Sequence, residues 1–328
     1  MKILVTGGAG YIGSHVVKLL GESGKHEIVV LDNLSTGIAE AVLFGRLEKM
    51  DLGDYNAVDI LFGKERFDAV IHFAAKIVVP ESVENPLLYY KNNTVNTTNL
   101  IEICVKHGVS KFIFSSTAAV YGEPDDGVVT EVTPTVPICP YGWSKLMSEF
   151  VLRDTAFAHE KFNYVALRYF NVAGADPDGK IGQNFPNATH LIKVSCQAAL
   201  GMRDKLLVFG TDFDTADGTG VRDYIHVTDL AAAHISALEH LEKGGKSEIF
   251  NCGYGNGASV LEVIASVKKV SGVDFQVDST DRRPGDPAFL ISDNSKILSD
   301  LNWTPKYQDL DFICKTAFEW ERKRGKGE

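Results

Sequence analysis

The opening of this chain constrains its fold more than any other feature. A short apolar run, Ile3 to Thr6, enters Gly7-Gly8-Ala9-Gly10-Tyr11-Ile12-Gly13, and a helix-forming stretch from Tyr11 to Leu20 follows without a break. Glycines at Gly7, Gly10 and Gly13 let the backbone turn tightly, approach a pyrophosphate closely and pack helix on strand. The helix N-terminus adds free N–H groups and a positive dipole end. A second strand runs from Glu27 to Leu31 and ends at Asp32, about 20 residues past the loop, where a dinucleotide fingerprint carries an acid for the adenosine ribose hydroxyls. A carboxylate there repels a 2′-phosphate, so NAD is expected rather than NADP. Asp32 also reads as the first residue of a turn, Asp32-Asn33-Leu34-Ser35.

Further buried-strand patterns at Asp68–Phe73, Lys111–Ser115 and Tyr164–Tyr169 alternate with amphipathic stretches. One predicted helix takes Asn85 as N-cap and Pro86 in its first turn, carries Leu88, Val95, Leu100 and Cys104, and stops at Gly108. This alternation predicts an α/β fold with a Rossmann-type doubly wound parallel sheet. After Asn171 the rhythm gives way to loops such as Gly174–Gly179 and Asp212–Gly218, rich in Gly and Asp. The expected division is an NAD-binding domain over residues 1–172 and a smaller C-terminal α/β substrate domain over 173–328. Within the latter, 226–252 (a helix from Thr228 to Leu241, then a strand from Glu248 to Cys252) returns to the large sheet.

The 328 residues, 45% hydrophobic, suffice for such a body, and the net charge of −10 argues against nucleic acid or an anionic membrane surface as partner. Any anionic ligand must then be met by locally placed Arg or Lys. Cys104, Cys139, Cys196, Cys252 and Cys314 are scattered, without metal-ligand spacing. They read as reduced core residues of a cytoplasmic protein without a metal. The first apolar run is too short for a signal segment, and no stretch approaches a membrane span.

The chemistry-bearing pattern is Pro140-Tyr141-Gly142-Trp143-Ser144-Lys145, a helix start with Tyr141 and Lys145 four apart on one face. A cation near a phenol favours the phenolate, making tyrosine a usable general base. Lowering a tyrosine pKa from about 10 to neutrality takes about 4 kcal/mol, more than an exposed ion contact supplies. A buried site and the nicotinamide charge must contribute. The strand Lys111–Phe114 runs on into Ser115-Ser116-Thr117, placing Thr117 at the carboxyl end of a parallel strand, where such folds bind ligands. Thr117 can hydrogen-bond a substrate oxygen, or simply end the strand.

Eight motifs in order, GGAGYIGSH (Gly7–His15), LDNLSTG (Leu31–Gly37), HFAA (His72–Ala75), FSSTAAVYG (Phe114–Gly122), PYGWSK (Pro140–Lys145), LRYFNVAGA (Leu167–Ala175), DGTGVRDYIHV (Asp217–Val227) and RRPGD (Arg282–Asp286), resemble the extended short-chain dehydrogenase/reductase family. Within it the sequence is similar to the UDP-hexose 4-epimerases. The resemblance covers Lys2 to about Trp303. It implies NAD-dependent interconversion of UDP-glucose and UDP-galactose, as in galactose metabolism. Tyr141 would take the proton from the sugar O4, with Lys145 tuning it and Thr117 assisting. Hydride would pass from C4 to NAD, and the 4-keto sugar would swing about its diphosphate link and take hydride back on the opposite face.

By the same resemblance the cofactor is lined by Gly7, Gly10, Tyr11, Ile12, Gly13, Asp32, Asn33, Leu34, Ser35, Thr36, Gly37, Asp51, Leu52, Phe73, Ala74, Ala75, Lys76, Ile77, Asn92, Lys145 and Phe170. The UDP-sugar would meet Thr117, Tyr141, Asn171, His190, Leu191, Leu207, Val208, Phe209, Arg222, Arg283, Asp286 and Leu290. Arg222 and Arg283 suit a diphosphate, or else pair on the surface with Asp223 and Asp286; His190 equally fits a helix surface. Relatives restricted to glucose and galactose carry Tyr where Leu290 stands, so the smaller side chain leaves room for N-acetylated UDP-hexoses. A slip of one residue would put Phe289 there instead.

Pro80 and Lys193 depart from the family pattern, where Gly and Pro are common. The resemblance also implies a homodimer through Pro86–His107 and Tyr141–His159. Two rivals share the fold. A sugar-nucleotide 4,6-dehydratase needs an Asp-Glu pair after the strand-end Thr, where this chain has Ala118-Ala119. A non-catalytic NAD-binding regulator would not need the intact Thr117, Tyr141 and Lys145.

Overall fold

Uninterrupted apolar strands need cover on both faces. Here β1 (Lys2–Thr6), β2 (Glu27–Asp32), β3 (Arg46–Lys49), β4 (Ala69–His72) and β5 (Lys111–Ser115) lie in one parallel sheet. After the two-residue β6 (Val128–Val129), β7 (Asn163–Tyr169) joins beside β5. The chain then builds smaller sheets from β8 (Asn171–Ala173), β9 (Leu206–Phe209) and β10 (Val221–His226). It returns to the large sheet with β11 (Glu248–Cys252), and closes the small ones with β12 (Gly257–Ser259), β13 (Val277–Thr280) and β14 (Phe289–Ser292). The seven strands run β11-β7-β5-β4-β1-β2-β3. This computed structural model describes residues 1–185, 189–283 and 286–325; Pro284 and Gly285 of the Arg282–Asp286 motif lie outside the described residues.

Period-two alternation sends successive side chains to opposite faces. Ile3 and Val5 join Val16, Val17 and Leu20 of α1 (Tyr11–Ser23) in one core. Leu4 points the other way, to Leu61 and Phe62 of α2 (Tyr55–Glu65). Each such side chain, buried, stabilises the fold by about 1.5–3 kcal/mol. The single helix expected after Asn85 is instead divided. After α3 (Val79–Glu84), α4 (Pro86–Tyr89) passes into a π-helical turn, Tyr90–Val95, before α5 (Asn96–Lys106), and Asn85 makes no side-chain cap. Asn92, Asn93 and Thr94 are weak helix formers, and the Asn93 amide bonds outside its own helix, which favours the widened turn.

The longest helix, α6 (Pro140–Ala158), follows, and then come α7 (Leu191–Ala199) and α8 (Val227–Glu242), the last packed beside α1 in the first core. α9 (Val260–Ser271), α10 (Ser295–Asp300) and α11 (Leu310–Gly325) finish the chain. Strand β3 has no apolar run, which is why the sequence pattern misses it. As an edge strand it needs to bury little. Among the described residues no helix is long and apolar enough to cross a membrane, and all five cysteines are free and buried.

Candidate active site

The strand order reverses between β1 and β4, so a crevice opens at the carboxyl ends, where Thr6, Asp32, His72, Ser115 and Tyr169 end their strands. Gly7 has φ +70°, and a Cβ on it would stand 2.6 Å from the Ala74 nitrogen, so the glycine loop packs backbone to backbone against the Phe73–Ile77 segment. Helix α1 begins at Gly10 without any side-chain cap, leaving its first-turn N–H groups for an anion. Tyr11 donates to the Gly174 oxygen at 2.6 Å and ties this helix to the opposite wall.

Asp32 is buried, and its two oxygens accept from Ala9 N at 3.0 Å and Leu34 N at 2.8 Å. The turn role is therefore real, yet each oxygen keeps a second lone pair for a ribose hydroxyl. Leu34 sits at φ +59°, Asn33 donates to Asp51 at 2.8 Å, and Ile38 N donates to the Ala9 oxygen at 3.2 Å, so the 33–37 segment folds over the glycine loop. Leu52 is buried in the second core, whereas Ile77 is exposed. The uncapped helix end and the half-satisfied buried carboxylate fit an NAD pyrophosphate and ribose.

Thr117 accepts from Ala119 N at 3.2 Å as it caps the 3-10 turn Ala118–Val120. α6 starts with Pro140 in its first turn and Cys139 as cap, and a Cβ on Gly142 would lie 2.6 Å from the Ala119 oxygen. This close approach seats the helix end carrying Tyr141 beside Thr117. Tyr141, Lys145 and Thr117 are all buried. Burial pushes the Tyr141 phenol well above its ordinary value; the nearby Tyr169 adds to this, and the Thr117 hydroxyl opposes it. Burial also pushes the Lys145 ammonium down to about 7, against the pull of the Glu149 carboxylate. The Lys145 Nζ donates to the Ser115 oxygen at 2.9 Å, so the ammonium is anchored on the strand end rather than hydrogen-bonded to the phenol.

Three supports escaped the sequence reading. Asn93, buried in the π-helical turn, accepts from Lys76 N and donates to the Lys76 oxygen, both at 2.9 Å, and also donates to Ser144 Oγ at 3.0 Å. It fixes the Phe73–Ile77 segment to α6; Asn92 donates to it at 3.0 Å. Glu149 accepts from Ser116 Oγ at 2.5 Å and from Arg168 Nη2 at 2.6 Å. Arg168 reaches the Tyr121 hydroxyl, which donates to Asn251 at 2.6 Å. The available signal was Glu149 lying four residues after Lys145 on the same buried face.

On the substrate side, β10 lies between β12 and β14 and pairs further along with β8, with Asn171 opposite Tyr224 and Leu290 opposite Arg222. Parallel register partners share a face, so Asn171, Arg222 and Leu290 line one side of the small sheet. Leu290 packs on the cluster of Ala118, Val120, Tyr121, Val129, Leu146 and Phe170, while Phe289 packs over Gly127. Arg222 donates to the Val221 oxygen at 2.9 Å and stands 3.6 Å from Asp286. Asp223 is fully buried and taken up by Tyr254 N, Gly255 N and Ser292, so it is no partner for Arg222. Arg283 lies over the Phe209 ring at 3.7 Å. Along β9 Leu207 is exposed and Val208 buried in the first core, so the Val208 side chain points away from the other substrate-side residues. His190 precedes α7 and pairs with Gln183 at 2.9 Å.

The profile of the family described as "NAD dependent epimerase/dehydratase family" matches residues 3–253. The chain belongs to this family. A UDP-glucose 4-epimerase of Azospirillum brasilense is 53% identical over 98% of this chain and 92% of its own length. Among solved structures, a UDP-Glc/GlcNAc 4-epimerase from Campylobacter jejuni is 56% identical, with a TM-score of 0.88 and coverage of 98% of this chain and 99% of that one. A UDP-glucose 4-epimerase from Bifidobacterium longum, solved with NAD+ and UDP, is 36% identical, with a TM-score of 0.93 over 100% of both chains. These neighbours share the Rossmann-type architecture and leave the dehydratase and regulator readings without support.

Proposed function

We propose that this chain is an NAD-dependent UDP-hexose 4-epimerase that interconverts UDP-glucose and UDP-galactose. The observation that carries the reading is the buried set of Thr117, Tyr141 and Lys145 at the carboxyl end of β5 and the start of α6. Residues 1–172 hold the cofactor; 173–328 hold the sugar nucleotide, with 226–252 completing the large sheet. The relatives named as UDP-glucose 4-epimerases support the substrate class.

NAD, when bound, supplies a reversible hydride acceptor and a positive ring charge. Asp32 and the α1 N-terminus hold its adenosine ribose and pyrophosphate. Tyr141 takes the proton of the sugar 4-hydroxyl and later returns it, and Thr117 holds the same oxygen. Burial pushes the phenol towards its protonated form, and a positive charge beside it, which NAD would supply when bound, would favour the phenolate near neutrality. Lys145, fixed to the Ser115 oxygen, adds its own charge and positions the ribose side. Arg222 and Arg283 grip the diphosphate, Phe209 and Leu207 lie along the uridine, and burial of the reacting groups keeps water from the oxidised sugar.

Leu290, placed on the active-site cluster, leaves room that a Tyr would fill, and the Campylobacter jejuni relative described as a UDP-Glc/GlcNAc 4-epimerase supports acceptance of N-acetylhexosamines. The protein works in the cytoplasm, as its five free buried cysteines suit. It pairs with a second copy through α6, where Trp143, Met147, Phe150 and Phe157 form an exposed stripe, and through the neighbouring Val83, Leu87 and Val95. The function is tested by incubating purified protein with UDP-galactose and no added cofactor. Equilibration with UDP-glucose, and NAD released on denaturation, are expected. Dependence on free NAD with stoichiometric NADH would establish a dehydrogenase instead.

A further inference from the structure

Lys193 is buried with Glu321 of the C-terminal helix, to which it is paired. Its ammonium also donates to the Gln183 oxygen at 2.9 Å. Arg324, from the same helix, reaches the Gln183 and Asn184 oxygens at 3.4 and 3.2 Å and Glu321 at 3.3 Å. The Gln183 side chain in turn pairs with His190 at 2.9 Å. The Trp320 ring lies against Gly182, where a Cβ would come within 2.6 Å. One cavity is walled by Asn171, Gln183, His190, Leu191, Lys193 and Glu321 together. The last turns of α11 therefore hold the segment before α7 against the residues that the proposed function assigns to the UDP moiety.

We infer that Lys193 and Glu321 are positioning residues for UDP-sugar binding: a buried clamp through which the C-terminal helix sets the placement of the 182–184 segment, His190 and Leu191. The inference rests on the proposed function. Neither residue touches the reacting atoms, so its signature is a change in KM and UDP affinity with little change in kcat. A buried ion pair can be replaced by apolar side chains at little cost in stability, whereas removing one partner strands a charge. This separates positioning from folding, because the doubly substituted Lys193→Met/Glu321→Met protein restores packing but loses the 2.9 Å bond from Lys193 to the Gln183 oxygen, leaving only the longer one from Arg324.

The experiment measures UDP affinity by calorimetry, KM and kcat for UDP-galactose, NAD content and thermal midpoint for the parent, Lys193→Met, the double variant and Lys193→Arg. The double variant is expected to keep its midpoint and NAD but to bind UDP about tenfold more weakly, which corresponds to about 1.4 kcal/mol. Lys193→Arg is expected to recover most of that loss. Parental UDP affinity in the double variant would overturn the clamp, even if Lys193→Met alone fails to fold. So would a loss confined to kcat. Failure of the parent to bind UDP would instead overturn the proposed function.

Discussion

Replacing Tyr141 by Phe removes one oxygen and leaves a ring that fills the same buried volume. The ring meets Tyr89 edge-on, with centroids 6.5 Å apart, and Phe preserves that contact. The hydroxyl's neighbour is Thr117, and even a full hydrogen bond lost there would cost only about 1 kcal/mol of stability. For a chain of this size that moves the thermal midpoint by no more than about 2–4 °C. The catalytic cost is of another order. A positioned general base contributes about 10²–10⁴ in rate, or about 2.7–5.5 kcal/mol of barrier. Turnover of UDP-galactose, followed by chromatographic separation of the two nucleotide sugars, is expected to fall at least about a hundredfold. Bound NAD and UDP affinity should stay near parental, since the groups that hold them are untouched. A Tyr141→Phe protein that retains NAD and turns over within tenfold of the parent would refute the assignment of the base.

Asp32→Ala removes the acceptor of Ala9 N and Leu34 N as well as the ribose partner. NAD content of purified protein should drop and discrimination against NADP relax; unchanged affinities for both, read by titration, would leave Asp32 a turn residue only. Leu290→Tyr should abolish turnover of UDP-N-acetylglucosamine while sparing UDP-glucose. A variant still converting both would place the wall elsewhere, and a parent inactive on the acetylated sugar would end the dual reading. Burial holds His72 and His226 down to about 3, and His15 and His234 down to about 4. These groups are neutral in the fold but protonate in the unfolded chain below about pH 6.5. Their stabilisation is thus complete above that pH and lost as pH falls towards 4 for His15 and His234 and towards 3 for His72 and His226, at up to about 1.4 kcal/mol per pH unit for each histidine. The urea midpoint should decline steeply between pH 6.5 and 5, and a flat profile would contradict the buried neutral histidines.

The large sheet was legible because each of its central strands is an apolar run between helices, and the dinucleotide fingerprint needs only local spacing. Tyr141 and Lys145 were legible for a related reason, since four residues on a helix fix their shared face. Strand β3 was not, because an edge strand can be polar. The π-helical turn was not, because its cause is distant: Asn93 leaves the regular ladder to bond Lys76 and Ser144. Val208 shows the limit of carrying over a contiguous segment, for strand alternation separates it from Leu207 and Phe209.

On the proposed function, Lys145 favours the Tyr141 phenolate by its charge. Helical spacing places the two side chains on one face, yet the ammonium is held by the Ser115 oxygen, and the phenol is raised rather than lowered. The buried Glu149, four residues further along α6, is neutralised by Arg168 and tied to Ser116, next to Thr117. On the proposed function the phenol takes a proton and returns it within one turnover, so it needs to lie near balance only when NAD and sugar are both bound. Burial sets the phenol on the protonated side of that balance, and on the proposed function the positive charge that NAD would supply moves it back.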